Sequence, residues 1–180
     1  MSRKIAGAAA LLLLASAPAW ANTSLYTPTD GAACKTMRED AIGAENGGMT
    51  DWSCPAPKGF KAFFTAADFY EGVRLAREGQ KPPKSDYFGV HGKLGEKLEW
   101  RLAPDGVPVA AILRFTADEV DGSGTMHPGA PKLLVMKITK QGSCPVGQVA
   151  ANRPNANEAA REFADRVTPA TPCDSALLPP

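Results

Sequence analysis

The sequence predicts an α+β domain: an antiparallel sheet of hairpins with one C-terminal amphipathic helix packed on it, stapled by two disulfides. Three observations predict it. Residues 97–102 and 107–116 flank a Pro104-Asp105-Gly106 turn with apolar alternation. Residues 155–167 carry a helical apolar stripe behind a capping residue, and four cysteines stand in a chain that reads as exported.

The hairpin is the clearest element. Leu98, Trp100 and Leu102 fall on one face and Lys97, Glu99 and Arg101 on the other, the period of a half-buried strand. Proline presets φ for the turn and glycine accepts the positive φ that follows. On the return strand, Val109, Ala111, Leu113 and Phe115 share a face while Ile112 occupies the other, so this strand is expected to be central. The register is left open between a two- and a three-residue turn, because a one-residue slip exchanges the faces. Leu98-Glu99-Trp100-Arg101 also has the composition of a recognition patch. The alternation favours a structural role, with Trp100 in the core and Glu99 and Arg101 outside, pairing across strands with Lys97 or Arg114.

The helix is predicted to open at Asn155 as N-cap, with Glu158 at the third helical position in a capping-box arrangement. Ala156, Ala160, Phe163, Ala164 and Val167 make its apolar stripe, and Arg161, Glu162, Asp165 and Arg166 are expected to face water. Pro169 ends it.

The remaining elements follow from shorter signals. Phe60, Ala62 and Phe64 predict a short buried strand. Residues 68–78 fit both a helix and a strand; Gly72 and Gly79 weaken the helix, and a strand is expected. Pro82-Pro83 with Gly89, Gly92 and Gly95 reads as a loop, and residues 118–132 as a polar loop. Leu133–Ile138 and Cys144–Ala150 read as the last strands. Residues 22–48 are rich in turn formers, including Thr27-Pro28-Thr29-Asp30-Gly31 and Glu45-Asn46-Gly47-Gly48. Asp40–Glu45 is too short for a helix, and a disulfide is expected to order this stretch.

The N-terminus has the order of a secretory signal: basic Arg3-Lys4, an apolar run from Ile5 to Ala15, then Ala19-Trp20-Ala21 as an A-x-A cleavage site. Cleavage is expected before Asn22, leaving residues 22–180 as a single globular, disulfide-stabilised domain in the periplasm or outside the cell. An anchor needs roughly 20 apolar residues, more than this run supplies, and no later segment reads as a span. A single arginine in the head speaks against twin-arginine export, and a lipoprotein would need a cysteine at the cut. Removing residues 1–21 takes away Arg3 and Lys4, so Lys plus Arg falls from 20 to 18 against 19 Asp plus Glu. The formal charge moves from +1 to −1. A near-neutral domain without a long charge run carries no electrostatic footprint for nucleic acid.

Cys34, Cys54, Cys144 and Cys173 all lie in the mature part. An even number in an exported chain implies two disulfides. Three pairings are possible; Cys34–Cys54 with Cys144–Cys173 closes the shortest loops. A metal site is disfavoured, since no C-x-x-C pair occurs and no histidine stands near a cysteine.

Candidate chemistry is sparse. The two histidines, His91 and His127, sit in loop-like contexts without H-x-x-x-H spacing or an adjacent carboxylate, and exposed loop residues are expected. No serine stands in a G-x-S-x-G elbow. Asp118, Glu119 and Asp121, beside Gly122 and Gly124, form a weak candidate polar loop for Ca²⁺. The EF-hand spacing is missing, and a solvated acidic loop is the simpler expectation. No catalytic residue, metal or cofactor is expected.

Several segments together resemble a family of small uncharacterised exported proteins of Gram-negative bacteria. They are Trp52-Ser53-Cys54-Pro55, Leu98-Glu99-Trp100-Arg101, Ala111-Ile112-Leu113-Arg114-Phe115, Cys144 and the helix from Asn155 to Asp165. Their order and spacing, from about Tyr26 to Cys173, carry the likeness. It implies a periplasmic address and supports two disulfides, and it brings no activity with it. The expected function is a non-enzymatic interaction or binding module, inhibitor-like, with a periplasmic or envelope protein as partner. The alternatives are an envelope-active hydrolase using His91 or His127, or a protein binding Ca²⁺ or a small molecule.

Overall fold

Alternating strands occupy most of the chain. The computed structural model describes residues 22–39, 48–57, 59–80, 87–140, 142–167 and 170–173. The expected signal peptide, the segment Asp40–Gly47, the Pro82-Pro83 pair and Pro169 lie outside them. Among the described residues, nine strands precede one helix: β1 (Thr23–Pro28), β2 (Lys35–Glu39), β3 (Met49–Cys54), β4 (Phe60–Ala67), β5 (Tyr70–Arg77), β6 (Phe88–Leu102), β7 (Pro108–Val120), β8 (Met126–Ile138), β9 (Ser143–Ala150) and α1 (Ala156–Arg166). The pairing is antiparallel, and β2 to β9 are neighbours in sequence order. The fold is therefore a sheet with a single helix on it, more sheet-dominated than a balanced α+β.

β6 organises the molecule. Its first residues pair with β5, from Val73↔Phe88 to Tyr70↔His91, and its last pair with β1, from Pro28↔Lys97 to Thr23↔Leu102. β7 runs along its other edge, with a register shift between Leu94 and Leu98. Two strands thus share one edge of β6 in succession, and the sheet bends between them. Phe60, Phe64 and Leu75 from one half meet Leu98, Trp100 and Leu134 from the other in the main core. The indole N–H of Trp100 donates to Thr27 Oγ1 at 2.9 Å, which satisfies the one polar atom this large side chain brings inside.

A second core lies on the opposite face. Ile112, Val135, Val146 and Val149 pack against Ala156, Ala160 and Ala164 of α1. Small alanines let the helix approach the sheet closely. The far end of the fold is pinned where β5 meets the β8–β9 turn: Ala76 bridges Gly142, and Leu75 N–H donates to Ser143 Oγ at 3.3 Å. A Cβ on Gly142 would stand 2.4 Å from the Leu75 carbonyl oxygen, so this closure requires glycine.

Both disulfides form as the loop lengths predict, Cys34–Cys54 and Cys144–Cys173, with separations of 20 and 29 residues. The first joins the end of β3 to the segment before β2; the second ties the tail beyond α1 to β9. In the chain-entropy account each is worth about 3 kcal/mol. Structural disulfides belong to an oxidising compartment. Among the described residues, no helix is long and apolar enough to cross a membrane.

The strand readings for 60–64, 68–78, 133–138 and 144–150 hold, with Asp68 (φ 48) and Phe69 forming the turn between β4 and β5. Leu102 pairs with Pro108, so five residues, 103–107, connect β6 to β7. Four expectations are corrected. The expected loop with Gly89, Gly92 and Gly95 is the first part of β6, because its glycines admit close neighbours: the Thr116 carbonyl sits 2.1 Å from where a Gly92 Cβ would be. The expected polar loop 118–132 is the far half of the β7–β8 hairpin, and only residues 121–125 turn. The turn-rich N-terminal stretch contains β1 and β2. Asn155 adopts a left-handed conformation (φ 56) and its side chain makes no cap hydrogen bond. Asparagine is there for its tolerance of positive φ, and its carbonyl accepts the first helical bond from Ala159 N–H at 2.9 Å.

Candidate functional site

Strand ends and the helix end converge on a cleft of about 430 Å³. β5 contributes its last residue, Arg77; β7 its first, Pro108 and Val109; β8 its end, Lys137 and Ile138; and Val167 follows α1. The turn after β8 is held by Thr139 N–H to the Gly142 carbonyl at 2.7 Å and by Gly142 N–H to Thr139 Oγ1 at 2.9 Å, with Lys140 exposed at its tip. Because Gly142 also bridges Ala76, the same closure sets Arg77 and Lys140 on one rim.

The lining is amphipathic. Pro108, Val109, Ile138 and Val167 form an apolar wall, and Arg77, Lys137 and Lys140 are the charged residues. The guanidinium of Arg77 lies 4.7 Å from the centroid of the Phe60 ring, which fixes it by a cation–π contact. Lys137 is buried along its stem, and its ammonium donates to the Thr171 carbonyl. Glu78, beside Arg77 in sequence, turns to Lys61 at 3.8 Å. Among the described residues, no carboxylate lines the cleft. Arg77 comes from a segment sixty residues before Lys137 and Lys140, so no local pattern could have brought the three together.

A second polar cluster was also missed. Glu99 and Arg101 are 7% and 6% exposed, against the expectation that they face outward, because α1 and β1 cover this face of β6. Arg101 grips Asp165 with Nε at 2.9 Å and NH2 at 2.6 Å, and also donates to Ser24 Oγ and the Asn22 carbonyl. Glu99 accepts from Arg161 Nε at 2.7 Å and from Ser24 Oγ at 2.5 Å; Arg161 also reaches the Tyr26 hydroxyl. Arg161 and Asp165 are the helix's half of this network; Asp165, Glu162 and Arg166 are exposed as expected, and only Arg161 is partly buried. The hydrogen bond to Glu99 holds the Arg161 guanidinium above its usual pKa, against the opposing effect of burial. For Asp165, burial pushes upward as the largest single influence, but hydrogen bonds from Arg101 and Asn22 and the charges of Arg101 and Arg161 together outweigh it, holding the carboxyl low.

That depression has a sign. A carboxyl whose folded pKa lies below its unfolded value of about 3.9 contributes stability above that value and loses it as pH falls through the folded pKa. The urea midpoint is therefore expected to fall on acidification below about pH 4, and Asp165→Asn to flatten the fall in that window. Equal slopes for the two proteins would contradict the assignment.

On the outer face of the other half, Gly72 and Gly89 are cross-strand partners. The Tyr87 and Tyr70 hydroxyls occupy the spaces that Cβ atoms would fill, 1.8 and 1.6 Å from the built positions. Their rings stack at 6.1 Å, and burial, reinforced by Tyr70, pushes the Tyr87 phenol above its usual pKa.

The candidate residues singled out from sequence lie elsewhere. His91 is exposed on β6 with its ring edge-on to Tyr70 at 5.4 Å, and His127 is exposed on β8 opposite Glu119. The Glu119 carboxylate leans over Gly129. Neither histidine lines the cleft. Asp118 and Glu119 belong to strand β7, pairing with Pro128 and His127, and only Asp121 stands in the turn. Asp121 Oδ1 accepts from Ser123 N–H, Ser123 Oγ and Thr125 N–H, which holds its carboxyl below the usual value. The three carboxylates do not converge, and among the described residues no three His, Cys, Asp or Glu side chains are grouped to hold a metal ion. No protein-family model, curated protein or solved structure matches the chain, so the reading of the cleft stands on its own residues.

Proposed function

We propose that the protein is an exported, non-enzymatic binding module that works outside the cytoplasm and holds a small ligand in the cleft at the end of its sheet. The cleft carries this reading: its volume falls within the roughly 300–1,000 Å³ of small-molecule sites, and an apolar wall with a few placed polar groups is their usual composition. Its walls belong to strands closed by a bridge and a disulfide-tied tail, so the site is formed before ligand arrives. Among the described residues, the lining holds no histidine, cysteine, serine or carboxylate, and the ammonium of Lys137 is engaged by the Thr171 carbonyl. Removal of residues 1–21 as a signal peptide and a periplasmic address, which the resemblance to small exported proteins also implies, fit the two disulfides.

Val109→Trp tests the reading, since the indole fills the cleft from its apolar wall. Native mass spectrometry of protein recovered from the cell envelope is expected to show a bound small molecule on the original chain and none on the folded variant. An equally loaded variant would place binding elsewhere, and two ligand-free proteins would remove the reading.

A further inference from the structure

We propose that the ligand of this cleft is an amphipathic anion, a small aliphatic or aromatic body carrying one acidic head group such as a carboxylate. The inference rests on the binding-module reading above and adds the chemistry of what is bound.

Charge complementarity selects the head group. Arg77 and Lys140 bring two positive charges to one lining that Lys137 also borders, and among the described residues no acidic residue shares it. The carboxylate closest in sequence, Glu78, is drawn away by Lys61. Among the described residues, neither Arg77 nor Lys140 forms an ion pair with a carboxylate. Arg77 is instead held in place by the face of Phe60, which leaves its fork of N–H donors available to an incoming anion. Such a side chain, positioned without being neutralised, is what a bidentate carboxylate requires.

The apolar wall selects the body. Pro108, Val109, Ile138 and Val167 offer no hydrogen-bond donor or acceptor on their side chains, so a fully polar anion such as phosphate would leave that wall wet. A single flexible chain or ring attached to the acid covers it. Each methylene buried there is expected to tighten binding about fourfold. The anionic head is expected to contribute at least tenfold over an uncharged one, less at high salt.

Isothermal titration of the purified protein with hexanoate, octanoate and decanoate below their aggregation concentrations reads both halves. Affinity is expected to rise about fourfold per methylene until the cleft is full, and decanoate to bind at least tenfold more tightly than decanol. Arg77→Gln and Lys140→Gln are each expected to weaken decanoate several-fold while leaving decanol unchanged. Lys93→Gln, which removes an exposed cation paired with Glu71 on another surface, is expected to change neither.

Decanol binding as tightly as decanoate, with both blocked by Val109→Trp, would overturn the anion inference and leave the binding-module reading standing. Inorganic phosphate binding as tightly as decanoate would overturn the amphipathic part. Absence of binding by every probe would overturn the ligand class, and the mass-spectrometric comparison then decides the module reading separately.

Discussion

Replacing Arg101 by alanine is expected to lower the unfolding free energy by about 3–5 kcal/mol, in the lower half of that range, as measured by urea denaturation. The side chain is 7% exposed and holds Asp165 through two nitrogens while donating to Ser24 and the Asn22 carbonyl. Truncation leaves a half-buried carboxylate, a hydroxyl and a backbone oxygen short of their donor, and it removes a large buried stem. Asp165 keeps 31% of its side-chain surface in water and is partly re-solvated, which places the loss toward the lower end. Lys93, 76% exposed and 2.7 Å from Glu71, gives the contrast: Lys93→Ala is expected to cost under about 1 kcal/mol, because water screens the ammonium and Glu71 keeps its bond from Leu94 N–H. An Arg101→Ala loss no larger than that of Lys93→Ala would mean that the network is ornamental.

Trp100→Ala is expected to cost about 3–5 kcal/mol in the same measurement. Trp100 has no exposed surface, packs with its ring centroid 6.0 Å from that of Phe60, and lies where the two halves of the sheet meet. Strands on both sides fix the walls, so the void cannot collapse fully. Trp100→Phe isolates the polar part of the effect: most of the packing remains, and the buried Thr27 hydroxyl loses its donor, for roughly 1–3 kcal/mol. A loss below about 1.5 kcal/mol for the alanine variant would show that the halves do not pack through this residue.

Trp100 was legible beforehand because its signal is local. Period-two alternation from Lys97 to Leu102 and a Pro-Asp-Gly turn are enough to orient a strand and send it back. The cysteines were legible for a similar reason, since short loops favour closure between neighbours in sequence. The first half of β6 and the far half of the β7–β8 hairpin were not, because glycines and charges suppress the alternation that announces a strand. In those segments the backbone still pairs, and the glycines mark where the Thr116 carbonyl or a tyrosine ring comes close. The capping residue was placed correctly and explained wrongly: Asn155 serves its left-handed backbone, and a side-chain cap is absent.

The sequence by itself determined the periods of the alternating strands, the amphipathic helix and the expectation of two disulfides with the oxidising compartment they need. Only the tertiary structure decided which faces meet. Glu99 and Arg101 on β6 and Arg161 and Asp165 on α1 each look like a solvent face when read along their own element. They became one network, buried on its β6 side, because the helix docks its small alanines on that side of the sheet, bringing complementary charges more than sixty residues apart into contact. The cationic rim of the cleft arose in the same way, from strand ends that meet only when Gly142 closes against Ala76. Periodicity reports the orientation of a side chain relative to its own backbone; what lies opposite it is set by packing between distant segments.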